Sequence, residues 1–299
     1  MIKKLTLLTG YILLTAQFLV GQSIEDLRKE IEQVLAEKNA TVGVAIKGVN
    51  PQDTISINGD LHLPMQSVFK FHLALAALHQ VDKGKLNFND SIAIDRAYMD
   101  RYSHLWSPLR KKYPNGAKVP LPEIIQYSVA LSDNVGCDLL FKLVGGTDVV
   151  QSFFQKIGVK DIAIKHTEII MQANWDLQYA NWTTAKAANQ VLQLFFENDK
   201  LLSDESYDFL LDVLKGAKTG KKKIRGCLPK DAIVAHKTGT SGKNTHGLTG
   251  ASNDIGIVYL PDESYFYLSV LVSDSMEDSE ANQKIIADIA KLAWDYFKQ

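Results

Sequence analysis

Ser67 and Lys70 are the first residues in this sequence whose types and spacing indicate chemistry. They lie in the stretch Met65–Phe71, at the start of an Ala- and Leu-rich run with the apolar spacing of a buried helix. Pro64 suits the start of that helix. A lysine three residues after a serine shares its helix face and can activate the hydroxyl, while free backbone N–H groups stabilise an oxyanion. The alternative is a helix cap followed by a surface lysine, but a lysine in so apolar a helix is costly without a polar site to serve.

A second polar motif, Ser132-Asp133-Asn134, follows the apolar run Ile124–Leu131 and precedes another helical run. Short polar side chains favour turns and caps, so the motif predicts a corner between two helices. A plain corner is the simpler interpretation. In the functional interpretation Ser132 relays a proton, and the amide of Asn134 binds a substrate carbonyl.

The third motif, Lys237-Thr238-Gly239-Thr240, follows a predicted strand at Ala232–His236. A glycine at a strand edge lets another backbone approach closely, and Lys237 and Thr238 can hold a carboxylate. A similar triplet, Lys218-Thr219-Gly220, lies in a basic loop without a preceding strand. We discount it as a copy of the active-site motif because a binding site needs a rigid strand edge.

Composition narrows the function further. The 299 residues are 46% apolar and 22% charged, with a net charge of −1, which is typical of a globular protein and gives no indication of nucleic-acid binding. The two cysteines, Cys137 and Cys227, exclude a disulfide scaffold. One bridge is possible in an oxidising compartment, but we expect two buried free thiols.

The N-terminus resembles a secretory signal peptide over residues 1–21. Basic Lys3 and Lys4 precede a broken apolar stretch, Leu5–Val20, and small Gly21 marks the expected cleavage site. A retained membrane anchor is the alternative, which the short, interrupted run disfavours. We therefore expect a periplasmic or secreted protein that is not bound to a membrane after cleavage.

The remaining pattern predicts an α and β fold. Strands near both chain ends can join in one antiparallel sheet flanked by terminal helices, with a helical block inserted between them. We predict an α/β subdomain of residues 22–62 and 216–299, an all-α subdomain of residues 63–215, and an active site at their interface. The predicted elements of the sheet subdomain are a first helix from Ser23 to about Lys38, strands at Thr41–Lys47, Thr54–Ile57, Ala232–His236, Ile255–Leu260 and Tyr265–Val272, and a closing helix at Ser279–Phe297.

The three motifs, in this order and with the last on a late strand, resemble those of the serine penicillin-recognising superfamily. Within it, the chain is similar to class A β-lactamases over essentially the whole mature sequence. The stretches Met65–Phe71 and Asn181–Thr184 resemble a branch that includes cephalosporinases and extended-spectrum enzymes. The resemblance implies a monomeric enzyme that acts on small-molecule β-lactams without a cofactor or metal.

The same resemblance implies a glutamate that activates the water for deacylation, and Glu168 in the loop Lys165–Asp176 is the best match. The familiar pattern has proline after this glutamate and asparagine four positions later. This chain has Ile169 and Gln172, which predicts a differently folded loop, although Gln172 can still hydrogen-bond a water. The alternative is that Glu168 is an ordinary loop carboxylate.

Further site residues are implied by the resemblance. The backbone N–H groups of Ser67 and Thr240 form the oxyanion hole, and Trp106 flanks the substrate unless it is only a packing residue. The strand after the third motif lacks the usual carboxylate-binding arginine, so Lys223 or Arg225 takes that role.

The predicted reaction is β-lactam hydrolysis through a Ser67 acyl-enzyme. Lys70, or Glu168 through a water, takes the serine proton, and Ser132 and Lys237 pass a proton to the leaving nitrogen. The alternatives are a penicillin-binding DD-peptidase without efficient deacylation and a non-catalytic β-lactam sensor. The predicted signal peptide and the loop that contains Glu168 favour a β-lactamase over these alternatives.

Overall fold

The computed structural model describes residues 22–299, so the predicted signal peptide lies outside the described residues. The strands are β1 (Thr41–Lys47), β2 (Thr54–Ile57), β3 (Leu63–Pro64), β4 (Ser91–Asp95), β5 (Gly116–Pro120), β6 (Ile162–Ala163), β7 (Trp182–Thr183), β8 (Val234–Thr240), β9 (Thr249–Tyr259) and β10 (Tyr265–Ser275). The helices are α1 (Ile24–Ala36), α2 (Phe69–Asp82), α3 (Arg96–Arg101), α4 (Pro108–Lys112), α5 (Leu121–Ala130), α6 (Asn134–Val144), α7 (Thr147–Lys156), α8 (Glu168–Met171), α9 (Ala185–Glu197), α10 (Asp204–Lys215) and α11 (Ser279–Phe297).

The main sheet has the order β2-β1-β10-β9-β8 and is antiparallel throughout. Alternate residues of each strand point to opposite faces. Val44 and Val270 face an apolar cluster with α1 and α11, whereas Ala45 and Leu271 face the cluster of the helical block. Both faces of the sheet are therefore buried, and the predicted joining of strands from the two ends of the chain is confirmed.

The segment between β2 and β8 is mostly helical and is built around α2, whose residues 69–78 are all buried. The prediction of an all-α insertion is incomplete, because this segment also contains the pair β4-β5 and the small sheet β3-β7-β6. These strands are only two to five residues long. Their partners are distant in the sequence, so no local period revealed them.

The predicted β1, β2 and α11 have the observed bounds, and α1 ends at Ala36. β8 begins at Val234 and continues to Thr240, β9 begins earlier than predicted, at Thr249, and β10 continues to Ser275. Lys237 to Thr240 lie on β8 itself, because they pair with β9 in the register Lys237 to Ile255 and Thr240 to Ser252. The third motif therefore lies on the strand itself, which confirms its predicted position on a late strand.

The two cysteines are both free, and Cys137 is buried as expected. The prediction that Cys227 is also buried is wrong, because it lies exposed in the 3₁₀ turn Ile224–Cys227 at the protein surface. Across residues 22–299, no helix combines the length and apolarity needed to cross a membrane.

Candidate active site

Ser67 lies in the 3₁₀ turn Gln66–Val68, which leads directly into α2. The preceding Gln66 has a φ of 46°, and its amide donates to the Gln178 side chain at 2.8 Å. The serine is thus held on a tight turn at the start of a buried helix, close to the predicted first helical turn. Its side chain is partly exposed to a groove between the helical block and β8.

Gly239 allows β8 to lie against this turn. A Cβ atom at Gly239 would lie 2.2 Å from the carbonyl oxygen of Met65 and 3.1 Å from the backbone nitrogen of Val68. A side chain there would push the strand away from the turn that carries Ser67. From the sequence we expected Gly239 to let a substrate backbone approach the strand. In the structure, the missing side chain lets the backbone of β8 lie against the backbone of the turn that carries Ser67.

Lys70 is fully buried below Ser67 and connects two of the predicted motifs. Its Nζ donates to the carbonyl oxygen of Ser132 at 2.9 Å and to Oδ1 of Asn134. It also lies 3.0 Å from Oε1 of Glu168, which is itself 1% exposed. The same Oε1 accepts from Oγ of Ser67 at 3.3 Å. One carboxylate oxygen therefore contacts both the serine hydroxyl and the buried ammonium.

Glu168 begins the short helix α8, and Asp138 on α6 fixes that beginning. The Asp138 carboxylate accepts the backbone N–H of Glu168 at 2.7 Å and that of Ile169 at 3.0 Å. Burial raises the pKa of Asp138 to about 6. Sequence reasoning missed this residue, although a carboxylate within the apolar run Val135–Phe141 was a signal that it has a polar partner.

The Ser132-Asp133-Asn134 motif forms the predicted corner between α5 and α6. Asp133 is buried and accepts from the backbone N–H groups of Gly136 and Leu109, both at 2.7 Å, and from Oγ of Ser107 at 2.8 Å. It therefore caps α6 and ties this corner to the segment after Trp106. Ser132 has a φ of 57°, and this strained conformation directs its carbonyl oxygen to Lys70.

Lys237 lies on β8 opposite this corner. Its Nζ donates to Oγ of Ser132 at 3.0 Å and to the carbonyl oxygen of Thr238 at 2.7 Å. Burial, followed by the repulsion from Lys70, lowers the pKa of Lys237 well below its ordinary value. A lysine in this state is suited to exchange a proton with the serine hydroxyl that it contacts.

The discounted Lys218-Thr219-Gly220 triplet is not a second copy of the motif, yet it forms part of the groove. The hydroxyl groups of Thr219 and Thr238 are 2.7 Å apart. A Cβ atom at Gly220, which has a φ of 72°, would lie 2.4 Å from Cγ2 of Thr238. The basic loop therefore packs on β8, a contact that its local sequence did not indicate.

Lys223 and Arg225 have different surroundings. Nζ of Lys223 donates to Oγ1 of Thr240 at 2.8 Å, to the carbonyl oxygen of Asn253 at 3.0 Å and to that of Gly239 at 3.2 Å, beside the groove. The Arg225 guanidinium instead bonds backbone carbonyl groups. Its acceptors are the carbonyl oxygens of Lys215, Val234 and Ala217. The structure thus brings Lys223 to the site and leaves Arg225 outside the groove lining.

The groove has a volume of about 470 Å³, within the range of small-molecule sites. The predicted residues that line it are Ser67, Trp106, Ser132, Asn134, Glu168, Gln172, Lys223, Thr238 and Thr240. Trp106 is 55% exposed, and its indole N–H donates to the carbonyl oxygen of Leu131. Lining residues that sequence reasoning missed are Gln66, His104, Leu105, Thr219, Gly220, Ser252, Ser279 and Gln283.

These features are those of the serine penicillin-recognising enzymes: a serine at the start of a helix, two buried lysines and a strand edge beside the serine. The sequence matches the model of the β-lactamase enzyme family over residues 26–297. The chain therefore belongs to that family. It is a class A serine β-lactamase, an enzyme that hydrolyses β-lactams and confers resistance to them.

Individual relatives agree with this assignment. The chain is 46% identical to β-lactamase VEB-1 of Pseudomonas aeruginosa over 274 residues, which cover 91% of each chain. It is 42% identical to extended-spectrum β-lactamase PER-1 of the same species over 271 residues, covering 90% of this chain and 87% of that protein. The crystal structure of TLA-1 extended-spectrum β-lactamase superposes with a TM-score of 0.90 at 44% identity, covering 93% of this chain and all of that one.

Proposed function

We propose that Ser67 is the nucleophile that opens the β-lactam ring and that Glu168 drives both ends of the reaction. The observation that carries this proposal is the position of Oε1 of Glu168, 3.3 Å from Oγ of Ser67 and 3.0 Å from Nζ of Lys70. A carboxylate so placed can accept the serine proton, directly or through a water, and later activate a water on the ester. Lys70 is the second candidate base, because it shares this carboxylate.

The oxyanion of the tetrahedral intermediate lies between the backbone N–H groups of Ser67 and Thr240. The close approach of β8 to the nucleophile turn at Gly239 supports this assignment. Backbone donors on a turn and on a strand are rigid, so they stabilise the developing charge without rearranging.

The leaving nitrogen receives its proton from Ser132, which is re-protonated by Lys237. The 3.0 Å contact between Nζ of Lys237 and Oγ of Ser132 supports this path. Asn134 binds the amide carbonyl of the substrate side chain while its own carbonyl oxygen holds Lys70. Gln172, which is exposed at the groove, helps to orient the hydrolytic water.

The substrate carboxylate is bound by Lys223 together with the hydroxyl groups of Thr238 and Thr240. All three residues line the groove, and Nζ of Lys223 already contacts Oγ1 of Thr240. The preferred substrates are cephalosporins, including extended-spectrum ones, and penicillins. The names of PER-1 and TLA-1 as extended-spectrum β-lactamases support this substrate class.

The mature enzyme is exported to the periplasm or beyond and acts as a monomer. The basic and then apolar residues 1–21 support export. N-terminal sequencing of the exported protein is expected to show cleavage near Gly21-Gln22. Size-exclusion chromatography with light scattering is expected to give a mass close to that of one mature chain.

Turnover of a chromogenic cephalosporin by the purified mature protein tests the mechanism. The wild type is expected to release many product molecules per enzyme. Glu168→Ala is expected to acylate more slowly, with Lys70 as its remaining base, to open about one ring per enzyme and to stall as an acyl-enzyme that mass spectrometry detects. Ser67→Ala is expected never to acylate.

Glu205→Ala, on the exposed start of α10, is the matched control and is expected to turn over as the wild type does. Normal turnover by Glu168→Ala would remove that residue from the mechanism. A single wild-type burst without further turnover would overturn the hydrolase assignment.

A further inference from the structure

Behind the wall of the groove lies a buried ionisable pair that the proposed mechanism does not use. His236 on β8 and Asp254 on β9 are both fully buried. Nδ1 of the imidazole is 2.9 Å and 3.0 Å from the two carboxylate oxygens. Gly256 makes room for this pair, since a Cβ atom there would lie 2.7 Å from Cβ of His236. A buried charge is costly, so its retention in a sheet core calls for a partner or a role.

Asp254 also touches the segment that carries Lys223. Its Oδ2 accepts the backbone N–H of Ile224, the next residue, at 3.2 Å. Gly220, at the start of this segment, is so close that a Cβ atom there would lie 3.5 Å from Oδ2 of Asp254 and 3.2 Å from Cε1 of His236. The pair is therefore packed directly against the backbone that presents Lys223 to the groove.

The three oxygen atoms that accept from Nζ of Lys223 are neutral, two carbonyl oxygens and one hydroxyl. Burial lowers the pKa of Lys223 to about 8, and the negative charge of Asp254 opposes this shift. Without that charge, the lysine would be neutral over more of the working pH range. A neutral amine would lose most of its attraction for a substrate carboxylate.

We propose that Asp254, oriented by His236, is a positioning residue that keeps Lys223 charged and in place for binding the carboxylate of β-lactams. This inference rests on the proposed role of Lys223. His236 fixes the carboxylate by donating from Nδ1, and Asp254 acts on substrate only through Lys223.

Other charged groups surround this pair. Lys237 neighbours His236 on β8 and is also influenced by the charges of Asp254, Lys223, Lys70 and Glu168. From α11, which packs on the turn after Lys223, Glu280 pairs with Lys222 at the surface. Because Lys237 belongs to the proposed proton path, a change in its protonation is expected to alter kcat. A change in the protonation of Lys223 is expected to alter KM.

The test is the pH dependence of KM for a carboxylate-bearing cephalosporin between pH 6 and 10. In the wild type, KM is expected to rise above about pH 8 as Lys223 loses its proton. In Asp254→Asn this rise is expected to begin about one pH unit lower. Asp262→Asn, on the exposed turn after β9, is the control and is expected to keep the wild-type profile.

Replacing the lysine separates charge from structural damage. Lys223→Arg is expected to give a KM that stays flat to pH 10, since a guanidinium does not titrate there. The double variant Lys223→Arg with Asp254→Asn is expected to stay flat as well. If it rises with pH as Asp254→Asn does, the carboxylate does not act through Lys223 and the inference is overturned.

Two further variants cover the remaining outcomes. If Asp254→Asn does not fold, Asp254→Glu is measured instead, because it keeps the charge. The pH midpoint of its rise in KM is expected to lie within about half a pH unit of the wild-type midpoint. A larger fall of that midpoint overturns the inference. Lys223→Met tests the underlying role: an unchanged KM would overturn the proposed carboxylate site itself. A raised KM with a wild-type profile in Asp254→Asn would overturn the further inference alone.

Discussion

The carboxylate of Asp138, on helix α6, accepts the backbone N–H of Glu168 at 2.7 Å. It therefore holds the main chain of the residue that we propose for deacylation. The second oxygen accepts from Ile169 at 3.0 Å. The two bonds fix the first turn of α8 and therefore the direction in which the Glu168 side chain leaves the backbone.

We expect Asp138→Ala to lower both stability and deacylation. The buried N–H of Glu168 and the partly buried N–H of Ile169 lose their acceptor, which costs up to about 1–3 kcal/mol each in the free energy of unfolding. Deacylation, measured from the steady-state fraction of acyl-enzyme, is expected to slow by about 10–100-fold, since a displacement of about 1 Å can cost about 100-fold in rate. Asp148→Ala, on the exposed start of α7, is the control and is expected to change neither quantity. Unchanged deacylation in a destabilised Asp138→Ala would make the residue purely structural.

A methyl group at position 239 tests the contact between β8 and the turn that carries Ser67. In Gly239→Ala the new Cβ would clash with the carbonyl oxygen of Met65, so β8 must move and the N–H of Thr240 moves with it. We expect the acylation rate to fall by about 100-fold or more, the scale of losing one oxyanion donor. Gly242→Ala is the control, because a Cβ there meets open space. Stopped-flow acylation measures both, and equal rates would contradict the assigned oxyanion hole.

Lys223 and Arg225 are distinguished by a pair of variants. Lys223→Met is expected to raise KM for anionic β-lactams by about 10–100-fold, the value of one charge-assisted hydrogen bond. Arg225→Met is expected to leave KM nearly unchanged. It leaves carbonyl groups of Lys215 and Val234 without their donor, so its midpoint of thermal unfolding is expected to fall instead. The reverse pattern would assign the carboxylate to Arg225.

His72 is expected to make the stability of the fold depend on pH in the acidic range. The ring is fully buried beside Phe71 and Phe154, and burial lowers its pKa to about 4 from an ordinary value of 6.5. Between these values the unfolded chain binds a proton that the folded protein does not. The contribution of neutral His72 to the free energy of unfolding is therefore fully present above about pH 6.5. It is lost, by up to ~1.4 kcal/mol per pH unit, as the pH falls toward 4.

Urea unfolding at several pH values checks this expectation. His72→Gln is expected to show a shallower loss of stability between pH 6.5 and 4.5 than the wild type, by about one proton in the slope. His246→Gln, at an exposed position, is expected to keep the wild-type slope. Equal slopes in all three proteins would show that His72 does not titrate differently in the folded state.

The sequence by itself determined what depends on short stretches of chain. The apolar run after Ser67 specified a buried helix, runs rich in Val, Ile and Thr specified β1 and β2, and the closing helix Ser279–Phe297 followed from its apolar face. The three motifs marked Ser67, Lys70, Ser132 and Lys237 as candidates because their residue types and spacing within each motif are unusual together.

The tertiary structure decided which of these groups meet, because contacts across 30 to 189 residues leave no periodic trace in the chain. Examples are Lys70 with Ser132, Glu168 with Asp138, and Asn253 with the carbonyl oxygen of Pro64. It also brought Lys223 rather than Arg225 to the groove, left Cys227 exposed and packed Thr219 against Thr238. Local sequence sets backbone conformation through sterics and propensity, but the identity of a buried partner depends on how separate elements pack.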